Sequence, residues 1–328
     1  MTAGRRPPRP ESRPTHSVGV VNQMKMLALV SLLVFQGCGA QAAAPTAQTC
    51  GADEVRVAPR CVSAPPAAPA PGKSWEITFS EEFNGADYDR TKLNPCFDWN
   101  HGGCTSSFNE GEETYRPEHV VVSEGTAKMI AAPLSPPAPD DACYEASCDY
   151  ASGMLTTARP NVSDSHYPLP FTYGYVESRI RFPAIPGFFT AFWMVPTDPT
   201  FEYRTEIDIA EIIGSEPRTI YMTYAYDDRS RSFEVNKSND NGACPESDYS
   251  NDWVRLGVNW QPDSISWYVD DVLCGEFTDA RWIEDGPMQL ILGLMVNTNW
   301  TRDVNSVLPS PPPAAQLEVD YIRIFQQH

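Results

Sequence analysis

Thr205-Glu206-Ile207-Asp208-Ile209-Ala210-Glu211-Ile212-Ile213-Gly214 sets three carboxylates among isoleucines in one short segment. β-branched residues at alternate positions suit a pleated, half-buried strand. Side chains two apart share a face of a strand. Glu206 and Asp208 therefore point one way, and Ile207 and Ile209 the other. Glu211 has the wrong parity to join the acidic face. A β-bulge near Ile209-Ala210 adds one residue and returns it there. Three crowded carboxylates repel each other, so one holds its proton to higher pH while another stays ionised. The same pattern also suits a solvent-facing edge strand or a cation site, and spacing alone does not choose between them.

Outward from this segment the chain reads as strand after strand. Gly174–Phe182, Thr190–Val195, Thr219–Tyr226, Trp253–Trp260, Ser264–Val269, Met288–Val296 and Gln316–Phe325 are alternating or β-rich runs. Asn84-Gly85, Glu124-Gly125, Pro262-Asp263 and Asp270-Asp271 punctuate them as turns. No long stretch has a helical period, and no internal repeat is visible. Many short strands with Gly, Pro and Asn turns predict an all-β fold, a β-sandwich of jelly-roll type.

The 328 residues carry a formal net charge of −19, and the first 37 are the basic part. So acidic a chain repels nucleic acid and anionic membranes, and a neutral partner fits better. Residues 26–35, Met-Leu-Ala-Leu-Val-Ser-Leu-Leu-Val-Phe, follow basic residues and are too short to span a bilayer as a helix. They read as a secretory signal. Gln36-Gly37-Cys38 comes next and resembles a bacterial lipoprotein box, with Cys38 as the lipidated N-terminus. The expected organisation is a leader over 1–37, an Ala/Pro-rich tether over 38–73 and a catalytic domain over 74–328. The destination is an outer-membrane lipoprotein or a secreted or periplasmic monomer, touching membrane only through its lipid. Apart from Cys38, eight of the nine cysteines remain, an even number that suits an oxidising compartment. Close spacing pairs 50 with 61, 96 with 104 and 143 with 148, leaving 244 with 274. There is no C-x-x-C and the five histidines are scattered, so a Cys/His metal site is disfavoured.

On a bulged strand Glu206 and Glu211 have Cα atoms about 13 Å apart, at about 3.3 Å per step. Side chains leaning inward bring their carboxyl groups to about 5–6 Å, which suits a retaining glycosidase better than an inverting one. At this point the residues resemble a known family. Glu206-Ile-Asp-Ile-Ala-Glu211 is similar to the bulged E-x-D-x-x-E signature of glycoside hydrolase family 16, in its laminarinase- and agarase-like form. Phe79-Ser-Glu-Glu-Phe-Asn-Gly85, Ser152-Gly153-Met-Leu-Thr-Thr, Tyr173–Pro183, Gly187–Trp193, Trp260–Asp270 and Val319–Phe325 resemble further segments of that family, in order, over about residues 75–328.

The resemblance implies a concanavalin A-like jelly roll with an open cleft and double-displacement hydrolysis that needs no cofactor. It implies Glu206 as nucleophile, Glu211 as acid/base and Asp208 as the assisting carboxylate. The expected substrate is a neutral polysaccharide, foremost a β-1,3- or mixed-linkage β-glucan. An agarase-like β-galactanase, a transglycosylase and a non-catalytic glycan-binding module are the alternatives. Trp193 and Trp300 are candidates for stacking on sugar rings, joined by Phe189, Tyr224 and Glu113. Trp99 and His101 sit in the predicted Cys96–Cys104 loop. Phe189, Tyr224, Gly293 and Asn297-Thr298 depart from the family's usual residues and bear on substrate choice. Many members hold a structural calcium, and Glu82, Gly125 and Asp320 fall at the matching positions.

Overall fold

Strand pairing dominates the computed structural model, which describes residues 50–51, 53–97, 107, 109–140, 143–161, 163–197, 205–235, 244, 247–250 and 252–328. All lie in one unit, Gln48–His328. The leader, Cys38, Trp99, His101 and Cys104 fall outside the described residues. In chain order the strands are β1 (Glu54–Val57), β2 (Arg60–Ser63), β3 (Trp75–Glu81), β4 (Glu113–Tyr115), β5 (Val120–Ser123), β6 (Thr126–Pro139), β7 (Ser147–Ser152), β8 (Met154–Thr156) and β9 (Gly174–Arg181). They continue as β10 (Phe188–Pro196), β11 (Glu206–Ile213), β12 (Tyr221–Tyr226), β13 (Arg231–Glu234), β14 (Val254–Trp260), β15 (Ile265–Val269), β16 (Val272–Phe277), β17 (Met288–Val296) and β18 (Ala315–Gln327). One short helix, α1, spans Asn299–Asp303.

Six strands pair in the order β13-β12-β11-β10-β17-β8. Ten form a second sheet, β16-β15-β14-β9-β18-β6-β7-β4, with β3 on β18 and β5 on β6. The predicted β-sandwich jelly roll is the fold. Phe192, Ile207 and Leu292 of the first sheet share one apolar core with Val176, Val258 and Ile324 of the second. All nine residues of β17, Met-Gln-Leu-Ile-Leu-Gly-Leu-Met-Val, are buried, because both of its faces are covered. The predicted turn at Asp270-Asp271 is a two-residue hairpin loop. Both residues are left-handed, φ 47° and 68°, which matches the twist of the flanking strands. No described helix is long and apolar enough to cross a membrane.

The segment expected as an Ala/Pro-rich tether over 38–73 carries structure from residue 53 onward. β1 and β2 form a hairpin closed by the Cys50–Cys61 disulfide. Val62 and Ala67 pack with Trp75 on Tyr175 and Phe325 of the ten-stranded sheet. Trp75 Nε1 donates to the Ala67 carbonyl at 2.8 Å, and Arg60 reaches Glu82 at 3.0 Å. Prolines at 65, 66 and 69 lack N–H donors, so this extended segment can lie on an aromatic surface without leaving donors unpaired. Cys143–Cys148, expected from close spacing, and Cys244–Cys274, the pair left over, are both bonded. Cys96 is also disulfide-bonded.

The three residues named for a structural calcium have other partners here. Glu82 accepts from Arg323 Nε and Nη2 at 2.7 and 2.9 Å and also pairs with Arg60. Asp320 pairs with Arg179 at 2.9 Å. Gly125 supplies a left-handed turn between β5 and β6, φ 76°. Both carboxylates thus face guanidinium groups, a poor setting for a divalent cation. Among the described residues no three His, Cys, Asp or Glu side chains are grouped to hold a metal.

Trp75→Ala removes the ring that clamps the hairpin. It should lower stability by about 3 kcal/mol in chemical denaturation and expose Arg60 to trypsin. An unchanged midpoint with an uncut hairpin would show that the segment is not part of the folded unit.

Candidate active site

The bulge sits where strand parity demanded it. Asp208 pairs with Thr223 of β12, and Glu211 pairs with Tyr221, so three steps on β11 match two on β12. On the other side Trp193 of β10 pairs with Asp208 and Phe192 with Ala210, so Ile209 is the inserted residue. Ile207, Ile209, Ala210 and Ile212 consequently pack in the core between the sheets. Ile213 joins Phe189, Trp193 and Ile291 in an apolar cluster on the opposite, open face. Glu206, Asp208 and Glu211 share that open face by the same alternation.

A bulge interrupts the hydrogen-bond ladder, and a buried carbonyl left unpaired costs free energy. Here the indole Nε1 of Trp267, from β15 in the facing sheet, donates to the Asp208 carbonyl at 2.8 Å. Trp267 is wholly buried. It reaches across the core and holds the acidic strand at its irregular point.

The three carboxyl groups differ in proton affinity for identifiable reasons. Burial pushes Glu206 up, but the Arg229 guanidinium and a hydrogen bond from Asp208 pull against it. Arg229 Nη1 lies 3.2 Å from Oε2, and Nη2 donates to Oε1 at 3.3 Å. Asp208 is raised well above the usual carboxylate range by burial, then by the charges of Glu211 and Glu206. Its carboxyl shares a hydrogen bond with that of Glu206, which favours the proton on Asp208 and the charge on Glu206. Burial, with the charge of Glu206, raises Glu211 to about 8. Glu211 retains more exposure than the other two. A carboxyl with a cation beside it, Glu206, thus stands near Glu211, which holds its proton to higher pH and which solvent or a ligand can reach.

Comparison with known proteins agrees with this geometry. The profile of the glycosyl hydrolases of family 16 matches residues 154–323. The chain belongs to glycoside hydrolase family 16. It is 28% identical over 271 residues to a β-glucanase of Rhodothermus marinus, covering 77% of this chain and 85% of that one. It is 27% identical to glucan endo-1,3-β-glucosidase A1 of Niallia circulans, covering 76% of this chain but only 38% of that longer protein. The endo-β-1,3-glucanase of Pyrococcus furiosus superposes with a TM-score of 0.63 at 26% identity, over 81% of this chain and 99% of that one.

The family 16 face of the sheet gathers some predicted binding residues and rejects others. Phe189 and Trp193 lie on it, 2% and 3% exposed, as a floor. Trp300, on α1, rests edge-on against Phe189 and Tyr221 at centroid distances of 5.4 and 5.0 Å. Tyr221 is partly exposed, and its hydroxyl donates to Glu216 at 2.5 Å. Tyr224 is a correction. It points into the core, where its hydroxyl donates to the Trp282 carbonyl at 2.6 Å and accepts from Glu284 N. Its neighbour Thr223 takes the open face instead. Glu113 is a second correction. It is fully enclosed and accepts from Val296 N at 2.8 Å, so it supports the face from within. The sequence reading passed over Arg229, Trp267 and Tyr221. Tyr221 had a signal, since it lies two before Thr223 on one strand face. Arg229 and Trp267 come from a turn and from the other sheet, and had none.

Trp267→Phe keeps the ring but loses the donor. Its expected cost is about 1–3 kcal/mol of stability in denaturant melts, with turnover falling more than stability at a permissive temperature. Wild-type values for both would remove the bulge anchor. Burial pushes Glu113 up to about 8, above its unfolded value, so its contribution to stability is present at low pH. That contribution is lost as pH rises towards about 8. Glu113→Gln should therefore raise the melting temperature at pH 8 and leave it nearly unchanged at pH 4. An equal shift at both would contradict the burial account.

Proposed function

We propose that this chain is a retaining endo-β-glycanase that hydrolyses a β-1,3- or mixed-linkage β-glucan by double displacement. The observation that carries the reading is the single bulge that puts Glu206, Asp208 and Glu211 on one face with divided proton affinities. Glu206 attacks the anomeric carbon and forms a glycosyl ester. Glu211 gives its proton to the departing glycosidic oxygen. Glu211, now a base, takes a proton from water as that water attacks the anomeric carbon and frees Glu206. Asp208 shares a hydrogen bond with Glu206 and steadies its carboxylate. No step needs a metal ion.

Trp300 and Tyr221 offer rings to the apolar faces of sugars, with Phe189 and Trp193 packed beneath. A net charge of −19 favours a neutral glucan over a sulfated or uronate polymer. Residues 1–37 act as an export leader and Cys38 as a lipid attachment point. The disulfides fit the oxidising compartment that such a leader reaches.

The first test is a reducing-end assay of the full chain on laminarin, lichenan and agarose. Release from laminarin or lichenan is expected. Release from agarose alone would reassign the substrate to a galactan, and no release from any would count against hydrolysis. Glu206→Gln should abolish turnover, and Glu211→Gln should lower it by about 10²–10⁴-fold, both with unchanged circular dichroism. Because Glu211 must carry its proton, kcat/KM should fall as pH rises through about 8. A basic limb that survives in Glu211→Gln would reject that assignment.

A further inference from the structure

Arg229 lies in the turn Asp227-Asp228-Arg229-Ser230, which joins β12 to β13 where Tyr226 pairs with Arg231. Asp227, Asp228 and Arg229 all have left-handed backbones, with φ 56°, 53° and 61°. None is glycine, and side-chain-bearing residues seldom adopt this conformation three times running. The surroundings hold the turn in place. Ser230 N and Oγ both donate to the Asp227 carbonyl, at 3.0 and 2.6 Å. Arg231 pairs with Asp227 at 3.3 Å and lies over the Trp282 ring at 5.2 Å. So constrained a turn, with Arg229 at its end, lays one guanidinium along both oxygens of Glu206.

Other charged groups around Glu206 do not duplicate this contact. Its own strand offers Asp208 and Glu211, both acidic. The opposite residue on β12 is Ala225, and β10 brings only apolar side chains at Met194 and Val195. The turn adds Asp227 and Asp228. The segment after β16 adds Glu284, which accepts from Thr205 Oγ1 at 2.9 Å, and Asp285 and Arg281 line the adjoining pocket. Arg281 is paired with Asp279. Among the described residues Arg229 is the cation paired with Glu206, in a neighbourhood otherwise rich in acids.

We propose that Arg229 is a positioning residue for the nucleophile: it orients the Glu206 carboxylate and selects it, among three adjacent carboxyl groups, as the one that ionises. This rests on the reading of Glu206 as nucleophile given above. Three neighbouring carboxyls on one face do not by themselves determine which loses its proton first. A cation touching one of them does. Arg229 pairs with Glu206 directly; its charge also pulls on Asp208 and Glu211, where burial and the neighbouring acids oppose it. A half-exposed arginine could instead be an ordinary surface ion pair of little consequence, and the two accounts differ in what its removal does to titration.

The test compares the full-length protein with R229M, R229Q and R229K. Carbon-detected NMR would follow the glutamate carboxyls through pH, with Glu206→Gln assigning the signal. The pH profile of kcat/KM would be measured on laminarin. In R229M the Glu206 titration and the acid limb of kcat/KM should move upward together, by roughly one to three pH units. At pH values below both titrations, activity should fall about tenfold for each unit of displacement, with little change in KM. R229K should restore part of the shift. R229Q replaces R229M if the latter does not fold. A Glu206 titration that is the same in the parent and in the uncharged variants overturns the role of Arg229. A parent that hydrolyses none of the polysaccharides overturns the hydrolase reading itself, whatever the titration does.

Discussion

One inserted residue governs the active face. With regular alternation along β11, Glu211 would sit in the core and Ile212 outside, and a buried carboxylate would replace an apolar contact. The bulge at Ile209 reverses this, so that four apolar residues face inward and three acids outward. The irregularity has its own support. Trp267 crosses from the other sheet and takes the Asp208 carbonyl. The sandwich core and the acidic face are therefore coupled through a single indole, and a jelly roll is a fitting scaffold because a facing sheet lies within reach.

Electrostatics then turn clustered acids into distinct roles. Burial raises all three carboxyl groups. Arg229 and the proton on Asp208 both favour charge on Glu206. Arg229 also pulls Glu211 down, but burial and the charge on Glu206 outweigh it. The division of labour comes from which neighbours each carboxyl has, since their residue types are nearly the same. Away from this face, a ladder of arginine and acid pairs lies on the ten-stranded sheet, Arg323–Glu82 and Arg179–Asp320 among them.

Much of this was legible in the chain itself. Alternating isoleucines fixed the strand, and the parity conflict at Glu211 announced the bulge, because side-chain direction in a strand has period two. Turn residues such as Asp270-Asp271 marked the hairpins. Close cysteine spacing anticipated Cys50–Cys61 and Cys143–Cys148. The misreadings have a common cause. Tyr224 looked like a cleft residue by position in a motif, but it lies one step off the face of Thr223, which pairs with Asp208. Residues 54–73 looked like a tether because alanine and proline suggest no core. Yet the aromatic surface of Tyr175 and Phe325, more than a hundred positions away in sequence, gives that segment something to pack on.

The sequence by itself determined the family, the all-β class and the identity of the three acids, since these follow from local periodicity and motif order. Only the tertiary structure decided which acid has a cation beside it, what holds the bulge and which aromatic rings meet solvent. Those properties depend on Arg229, Trp267, Trp300 and Tyr221, which reach the site from a turn, a facing sheet, a short helix and a neighbouring strand. Their distances to Glu206, Asp208 and Phe189 are set by packing between strands far apart in the chain, and no pattern along one strand encodes them.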